Sequence, residues 1–292
     1  MVFSATSSQP ALASGTFDLG DGLTVHRLGF GAMRITGNGI WGAPEDHAMA
    51  LRVLKRTPEL GIDFIDTADS YGPFVSEDLI ADALAPYPDG LVVATKGGLL
   101  RTGPNQWREL AKPDYLRQAV QMSMRRLKLD TIPLYQLHRI DPETDRDAQF
   151  AVLQEFVDEG NVRLVGLSEV GVDEIKAAQD AGLSVATVQN EYNLGTRKHE
   201  AVVDFCEAEG IGFIPWFPLA AGKLSDSAVL TEAADALGAS KSQVALAWLL
   251  KRSPVMLPIP GTSSVAHLEE NTAAAEIEMP DDLFERLSEA SA

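Results

Sequence analysis

Residues 61–72 read GIDFIDTADSYG. Ile62, Phe64 and Ile65 make a short apolar run that stops at Asp66, and a polar turn then presents Tyr71 between Ser70 and Gly72. A brief apolar run bounded by turn residues reads as a buried strand. A strand that ends on a carboxylate and then shows a phenol is unusual for a purely structural segment. A phenol can give up a proton, and Asp66 can hold a cation that would make Tyr71 a better acid. Asp63 and Asp69, in the same stretch, read as structural or solvent-facing.

Seven other segments share the build of 62–66: 27–31 (RLGFG), 90–96 (GLVVATK), 131–138 (TIPLYQLH), 162–168 (VRLVGLS), 184–189 (SVATVQ), 211–216 (IGFIPW) and 255–260 (VMLPIP). Helical patterns follow them over 44–59, 75–84, 113–127, 145–159, 171–181, 198–209, 227–237 and 240–252, then 264–275 and 281–289. Pro58 ends the first helix, Ser240 reads as an N-cap, and the stretch around Trp107 reads as a loop. Residues 16–28 predict a hairpin about Gly20-Asp21-Gly22. Eight βα units in one uninterrupted run predict an α/β fold of the (β/α)8 TIM-barrel type, with an N-terminal β-hairpin and extra C-terminal helices. The rival doubly wound sheet calls for a GxGxxG fingerprint after the first strand, and GFGAMR lacks that spacing. The expected organisation is a flexible lead-in over 1–15 and a single domain over 16–292.

The 292 residues carry 24 Lys plus Arg against 42 Asp plus Glu, a formal net charge of −18. Such a surface repels phosphate backbones and anionic lipid, which argues against nucleic-acid and membrane partners. An anionic cofactor would need its own local donors. The single cysteine, Cys206, leaves no intramolecular disulfide and sits in a helical pattern that suits core packing. No run reaches transmembrane length, and the first residues lack a basic n-region, so the expected location is cytoplasmic and the expected state a monomer or small homo-oligomer.

The conspicuous polar residues stand at strand ends: Asp66, Lys96, His138, Ser168 with Glu169, Gln189 with Asn190, and Trp216. Each has a bland alternative as a cap, a snorkelling lysine, a satisfied core histidine or a packed indole. Their recurrence on consecutive strand ends is hard to obtain from packing, because in a barrel those ends meet on one face. A free tyrosine has a pKa of about 10 and is a weak acid catalyst at neutral pH. Lys96 would lower it, Asp66 would position Lys96, and His138 would orient a carbonyl or share the proton. The five histidines (26, 47, 138, 199, 267) show no metal-ligand spacing, and no metal is expected. A site that protonates a carbonyl oxygen without an internal nucleophile calls for an external reductant, hydride from a nicotinamide.

The chain offers parts for a nicotinamide site. Trp216 can stack on the ring while Ser168 and Gln189 hold its carboxamide. Gly222 in PLAAGKL (218–224) allows close backbone approach to a pyrophosphate. Gly261, Thr262, Ser263 and Ser264 precede a helix whose N-terminus can bind an anion, although plain N-capping explains the hydroxyls equally well. Trp41, Trp107 and Phe217 are placed to wall a substrate site.

These motifs together resemble the aldo-keto reductase family over nearly the whole chain: GIDFIDTADSYG, LVVATKGG, LYQLH, VGLSEV, VQNEYN, PWFPLAAGKL and IPGTSSVAHLEEN. WGAPEDH, WFPL and IPGTSSVAHL look most like a bacterial subgroup that includes pyridoxal reductases. The resemblance implies that Asp66, Tyr71, Lys96 and His138 form the catalytic tetrad, with Tyr71 as general acid. It implies NADP(H) held across the barrel mouth, with NAD(H) left open, and extends the cofactor set to Met33, Asp66, Glu169, Pro218, Leu219, His267, Glu270 and Asn271. Three features depart from the family pattern. Glu169 stands where relatives usually have Asn, Gly261 stands at a usual Lys position with His267 near a usual Arg, and the loops lining the substrate pocket are short. Arg197 and Lys223 are further cations near that region. The implied activity is reduction of an aldehyde or ketone. The alternatives are a non-catalytic nicotinamide sensor of the same fold and a barrel isomerase or lyase that binds phosphate in its last loops.

Overall fold

The computed structural model of the chain describes residues 8–220 and 228–290. β1 (Thr16–Gly20) and β2 (Leu23–His26) form the expected antiparallel hairpin. Its turn uses Asp21 and Gly22, both at positive φ, as a tight hairpin of this type requires. The lead-in differs from the expectation: Pro10–Ser14 form a 3-10 turn with Ala11 and Ser14 buried, and the Ser14 hydroxyl accepts from Leu28 N. Pro10, Ala11 and Ser14 therefore pack against the rest of the chain.

Seven parallel strands follow in one sheet: β3 (Phe30–Gly31), β4 (Phe64–Asp66), β5 (Val92–Gly97), β8 (Ile132–Leu137), β9 (Val162–Ser168), β10 (Val185–Glu191) and β11 (Gly212–Trp216), neighbours in that order. The helices α1 (His47–Glu59), α2 (Val75–Leu84), α3 (Pro113–Leu127), α4 (Arg146–Asp158), α5 (Val172–Asp180) and α6 (Glu200–Glu209) connect them, and α7 (Ala228–Leu237) and α8 (Lys241–Arg252) follow β11. α9 (Val265–Ala273) and α10 (Asp281–Ala290) are the extra C-terminal helices. α1 begins at His47, later than expected, because the Asp46 carboxylate caps Met49 N; α8 opens on the expected Ser240 cap.

The expected eighth strand, 255–260, is not a ladder. It makes a single bridge, Phe213 to Met256, because Pro258 and Pro260 have no N–H to donate. It still closes the barrel: Phe213 N donates to Val255 O and Leu257 N to Phe213 O, while Gly29 N donates to Pro258 O. The segment thus ties β11 to the start of β3.

The loop expected around Trp107 is a second hairpin, β6 (Leu99–Gly103) with β7 (Gln106–Glu109), pairing Arg101 with Trp107. Every residue of β7 is exposed, so no apolar alternation marks it in the sequence.

Strand alternation decides what faces the barrel axis. Leu19, Val25, Phe64, Val92, Ala94, Leu134, Ile214, Leu257 and Ile259 form the inner core, plugged from below by the hairpin. The intervening residues, such as Ile65, Tyr135 and Phe213, pack outward under the helices. Counting by twos from Phe64, Ala94, Leu134 and Ile214 reaches Asp66, Lys96, Gln136, His138 and Trp216. The same phase that builds the core therefore carries these side chains to the inner side of the barrel mouth.

Candidate active site

Lys96 and Asp66 are fully buried, and Lys96 Nζ lies 2.6 Å from Asp66 Oδ2. The ammonium also donates to Thr67 O (2.8 Å) and reaches Tyr71 Oη at 3.5 Å. Asp66 Oδ1 accepts from Gln189 Nε2 (2.8 Å) and Gln136 Nε2 (3.1 Å), so the carboxylate is held on both oxygens. Burial works against the Lys96 charge, but Asp66 and Tyr71 outweigh it and raise the Lys96 pKa; the ammonium is a fixed cation.

Tyr71 departs from the expectation in one respect. Burial is the largest influence on its phenol and raises the pKa; Lys96 pulls the other way, as expected, without reversing it. The phenol is therefore a firmly protonated donor. His138 stands edge-on to the Tyr71 ring with centroids 5.9 Å apart. Its Nδ1 lies 3.3 Å from Ser70 Oγ, and burial, aided by Lys96 and Arg139, pushes its pKa well below the usual histidine range. His138 is a neutral imidazole, able to donate one N–H and carry no charge.

Tyr71, His138 and Asp66 open onto a cavity of about 980 Å³, near the upper end of the usual size for small-molecule sites. Met33, Ser168, Gln189 and Trp216 line its inner part, and Phe217, Pro218 and Leu219 continue it toward α9. There Gly261, Thr262, Ser263, His267, Glu270 and Asn271 complete the wall. Trp107 closes the other side, 6.5 Å from the His138 ring.

Some sequence candidates lie elsewhere. Lys96 sits behind Tyr71. Ser264 caps α9, accepting from His267 N. Trp41 is partly exposed at the rim and bridges to Gly72. Gly222 and Lys223 fall outside the described residues, and Arg197 is committed to Glu200 and to Ser288 O. Asp63 binds His26 at 2.6 Å beneath the barrel, and Asp69 is buried, its carboxyl pushed well up by desolvation and the Glu77 charge.

Glu169 stands behind Trp216 instead of in the cavity. Its Oε1 accepts from Trp216 Nε1 (2.7 Å) and Glu191 N (2.6 Å), and its Oε2 faces His199 at 3.6 Å. Burial opposes the charge, but these donors together with Arg139 and His199 hold the carboxyl below its ordinary pKa. Glu169 and Phe217 both adopt positive φ, a conformation side chains seldom take, on either side of the indole they flank.

Three arginines escaped the sequence reading. Arg101 stacks on Trp107 with 3.7 Å to the ring centroid and donates to the carbonyls of Gly39, Ile40 and Ser70, fastening the β6–β7 hairpin to the loops beside Tyr71. Arg139 and Arg34 line the cavity at its two ends. Arg139 directly follows His138, a placement visible in the sequence. Arg101 gave no such signal, because the contacts that tie it to the site are to the backbone carbonyls of Gly39, Ile40 and Ser70, distant along the chain.

Residues 27–292 match the sequence profile of the Aldo/keto reductase family. An uncharacterized oxidoreductase of Schizosaccharomyces pombe is 54% identical over 98% of this chain and 92% of its own length. Pyridoxine 4-dehydrogenase of Escherichia coli is 39% identical over 94% of this chain and 98% of its own. The solved glycerol dehydrogenase of Gluconobacter oxydans superposes with a TM-score of 0.86 at 25% identity, covering 95% of both chains. With the barrel, the strand-end cluster and the profile match in agreement, the chain belongs to the aldo/keto reductase family of oxidoreductases.

Proposed function

We propose that this protein reduces an aldehyde or ketone to an alcohol with NADP(H), with Asp66, Tyr71, Lys96 and His138 as its catalytic group and pyridoxal among its substrates. The observation that carries this reading is the buried Asp66–Lys96 pair placed against the Tyr71 phenol at the mouth of a cavity large enough for cofactor and substrate. The pyridoxal assignment is supported by the 39% identical pyridoxine 4-dehydrogenase.

The chain's own residues suit a nicotinamide dinucleotide. Gln189 spends its Nε2 on Asp66, which leaves its amide oxygen to accept from a carboxamide, and Ser168 stands alongside it. Trp216 is held by Glu169 as a fixed aromatic face. At the far end, Gly31 and Gly261 approach backbone to backbone: a side chain at Gly261 would meet Gly31 O at 2.6 Å, so no lysine fits there. Arg34 packs over that position, its Cγ 3.5 Å from where such a side chain would begin, and supplies the nearby cation for a cofactor phosphate together with the α9 N-terminus.

When bound, the cofactor supplies hydride to the carbonyl carbon. Tyr71 gives its phenolic proton to the carbonyl oxygen, and the resulting phenolate is stabilised by Lys96 at 3.5 Å. Asp66 keeps Lys96 charged and in place. His138, neutral, donates an N–H to the same oxygen and orients it. Water then returns the proton to Tyr71. The test is absorbance at 340 nm with NADPH or NADH over a carbonyl panel that includes pyridoxal. Tyr71→Phe should lower kcat at least about a hundredfold, the lower bound for general acid catalysis. Equal turnover by Tyr71→Phe would sink the mechanism.

A further inference from the structure

Arg139 lines the inner cavity beside Tyr71, His138 and Ser168, and the carbonyl-reducing mechanism above makes no use of it. Its Nη1 donates to His138 O (2.6 Å) and to Ser168 Oγ (3.0 Å). That accounts for two of the five N–H donors of a guanidinium; among the described residues the other three meet no acceptor. The residue is half-buried, and no carboxylate pairs with it among the described residues. Glu169 and Glu109 act on it from a distance, but Glu169 is spent on Trp216 and Glu191 N, with Lys198 and His199 on its second oxygen. A guanidinium taken partly out of water without a counter-ion is costly, and burial here lowers its pKa. Such a group is matched by planar oxygen anions, which it binds through two parallel N–H donors.

The site of carbonyl activation is close by. Tyr71 and His138 converge on the same part of the cavity, and His138 is the residue next to Arg139 in the chain. With a formal net charge of −18, the protein as a whole repels anions, so an anionic substrate needs a local cation.

Resting on the reduction reading, we propose that Arg139 is the specificity residue for substrates bearing an ionised carboxylate on the same skeleton as the reducible carbonyl. Tyr71 and His138 take the carbonyl oxygen, and the outward N–H groups of Arg139 take the anion. Neutral carbonyl compounds leave the guanidinium unmatched and bind less well.

The experiment compares 2-, 3- and 4-carboxybenzaldehyde with their methyl esters, using the full chain and NADPH. For at least one isomer, kcat/KM of the acid should exceed that of its ester tenfold or more. Arg139→Gln, which keeps an N–H for Ser168, should cut that acid-to-ester ratio at least tenfold, and Arg139→Lys should restore part of it. A readout apart from turnover is tryptophan quenching, with NADP⁺ present, by the matching carboxybenzyl alcohol; its Kd should rise at least tenfold in Arg139→Gln relative to that of benzyl alcohol. If no acid outperforms its ester, or if Arg139→Gln weakens acid and ester alike, the proposal is wrong and Arg139 only supports Ser168. No turnover of any aldehyde, acid or ester, would defeat the reduction reading itself. Turnover of the esters with an unchanged ratio would defeat the role of Arg139 alone.

Discussion

Removing one member of the Asp66–Lys96 pair should cost far more than removing both. Both side chains are fully buried and 2.6 Å apart. In Asp66→Asn the Lys96 ammonium is left with uncharged acceptors alone: Thr67 O at 2.8 Å, the Tyr71 hydroxyl at 3.5 Å and at most the amide oxygen of the substituted side chain. An uncompensated buried charge costs about 3–5 kcal/mol. The chain can escape by losing the proton, and that sets a ceiling. Taking a lysine from an ordinary pKa near 10.4 to neutrality at pH 7 costs roughly 4.6 kcal/mol at 1.36 kcal/mol per unit. Lys96→Met leaves the carboxylate with the two glutamine amides as donors, and protonating it at pH 7 caps the loss at roughly 4 kcal/mol by the same conversion. The double variant buries no charge and should be more stable than either single one. Urea denaturation of the four proteins makes a double-mutant cycle, whose coupling should be at least about 2 kcal/mol. Single losses below about 1 kcal/mol, or additive losses, would refute the buried ion pair.

Glu169→Ala should free the Trp216 indole and weaken NADPH binding about tenfold, one charge-assisted hydrogen bond being worth about 1.5 kcal/mol or more. An unchanged Kd and unchanged tryptophan emission would show that the indole needs no anchor. Arg34→Gln should raise the NADPH Kd by a similar factor and flatten its salt dependence; equal affinity in low and high salt for both proteins would remove Arg34 from phosphate binding. His138 has a folded-state pKa well below 6.5, so between the two values the unfolded chain binds a proton that the folded chain does not. Stability from this residue is complete above pH 6.5 and falls by roughly 1.4 kcal/mol per unit as the pH drops below it. His138→Gln should lose that slope in denaturation curves taken from pH 7 to 5, and an identical slope would contradict the neutral imidazole.

The periodic features were the legible ones. Apolar runs ending at Asp66, Lys96, His138, Ser168 and Trp216 could be counted, and a period of two puts their ends on the barrel's inner side. Features set by contacts between distant segments were not legible. Pro258 and Pro260 mark the last barrel segment as a poor donor, yet its place between β11 and β3 depends on Gly29 and Phe213, more than 40 residues away at the nearer. In the β6–β7 hairpin only β6 carries buried residues; β7 is exposed throughout and the hairpin is held by Arg101 through backbone carbonyls, so it left no alternating hydrophobic pattern. Lys96 was legible as the partner of Tyr71, but the net direction of the Tyr71 pKa depends on how deeply the ring is buried, which spacing does not encode. Glu169 read as a poor substitute for an amide beside the cofactor; its pairing with the Trp216 indole exists only once β9 and β11 are assembled around β10.

The most direct measurement is a single turnover with NADPH deuterated at the transferring position of the nicotinamide ring, with the product alcohol examined by mass spectrometry and NMR. The account predicts one deuterium on the carbinol carbon per NADPH oxidised, and at least about a hundredfold slower transfer in Tyr71→Phe. Alcohol formed without deuterium at that carbon, or formed at the same rate without the Tyr71 hydroxyl, would contradict it.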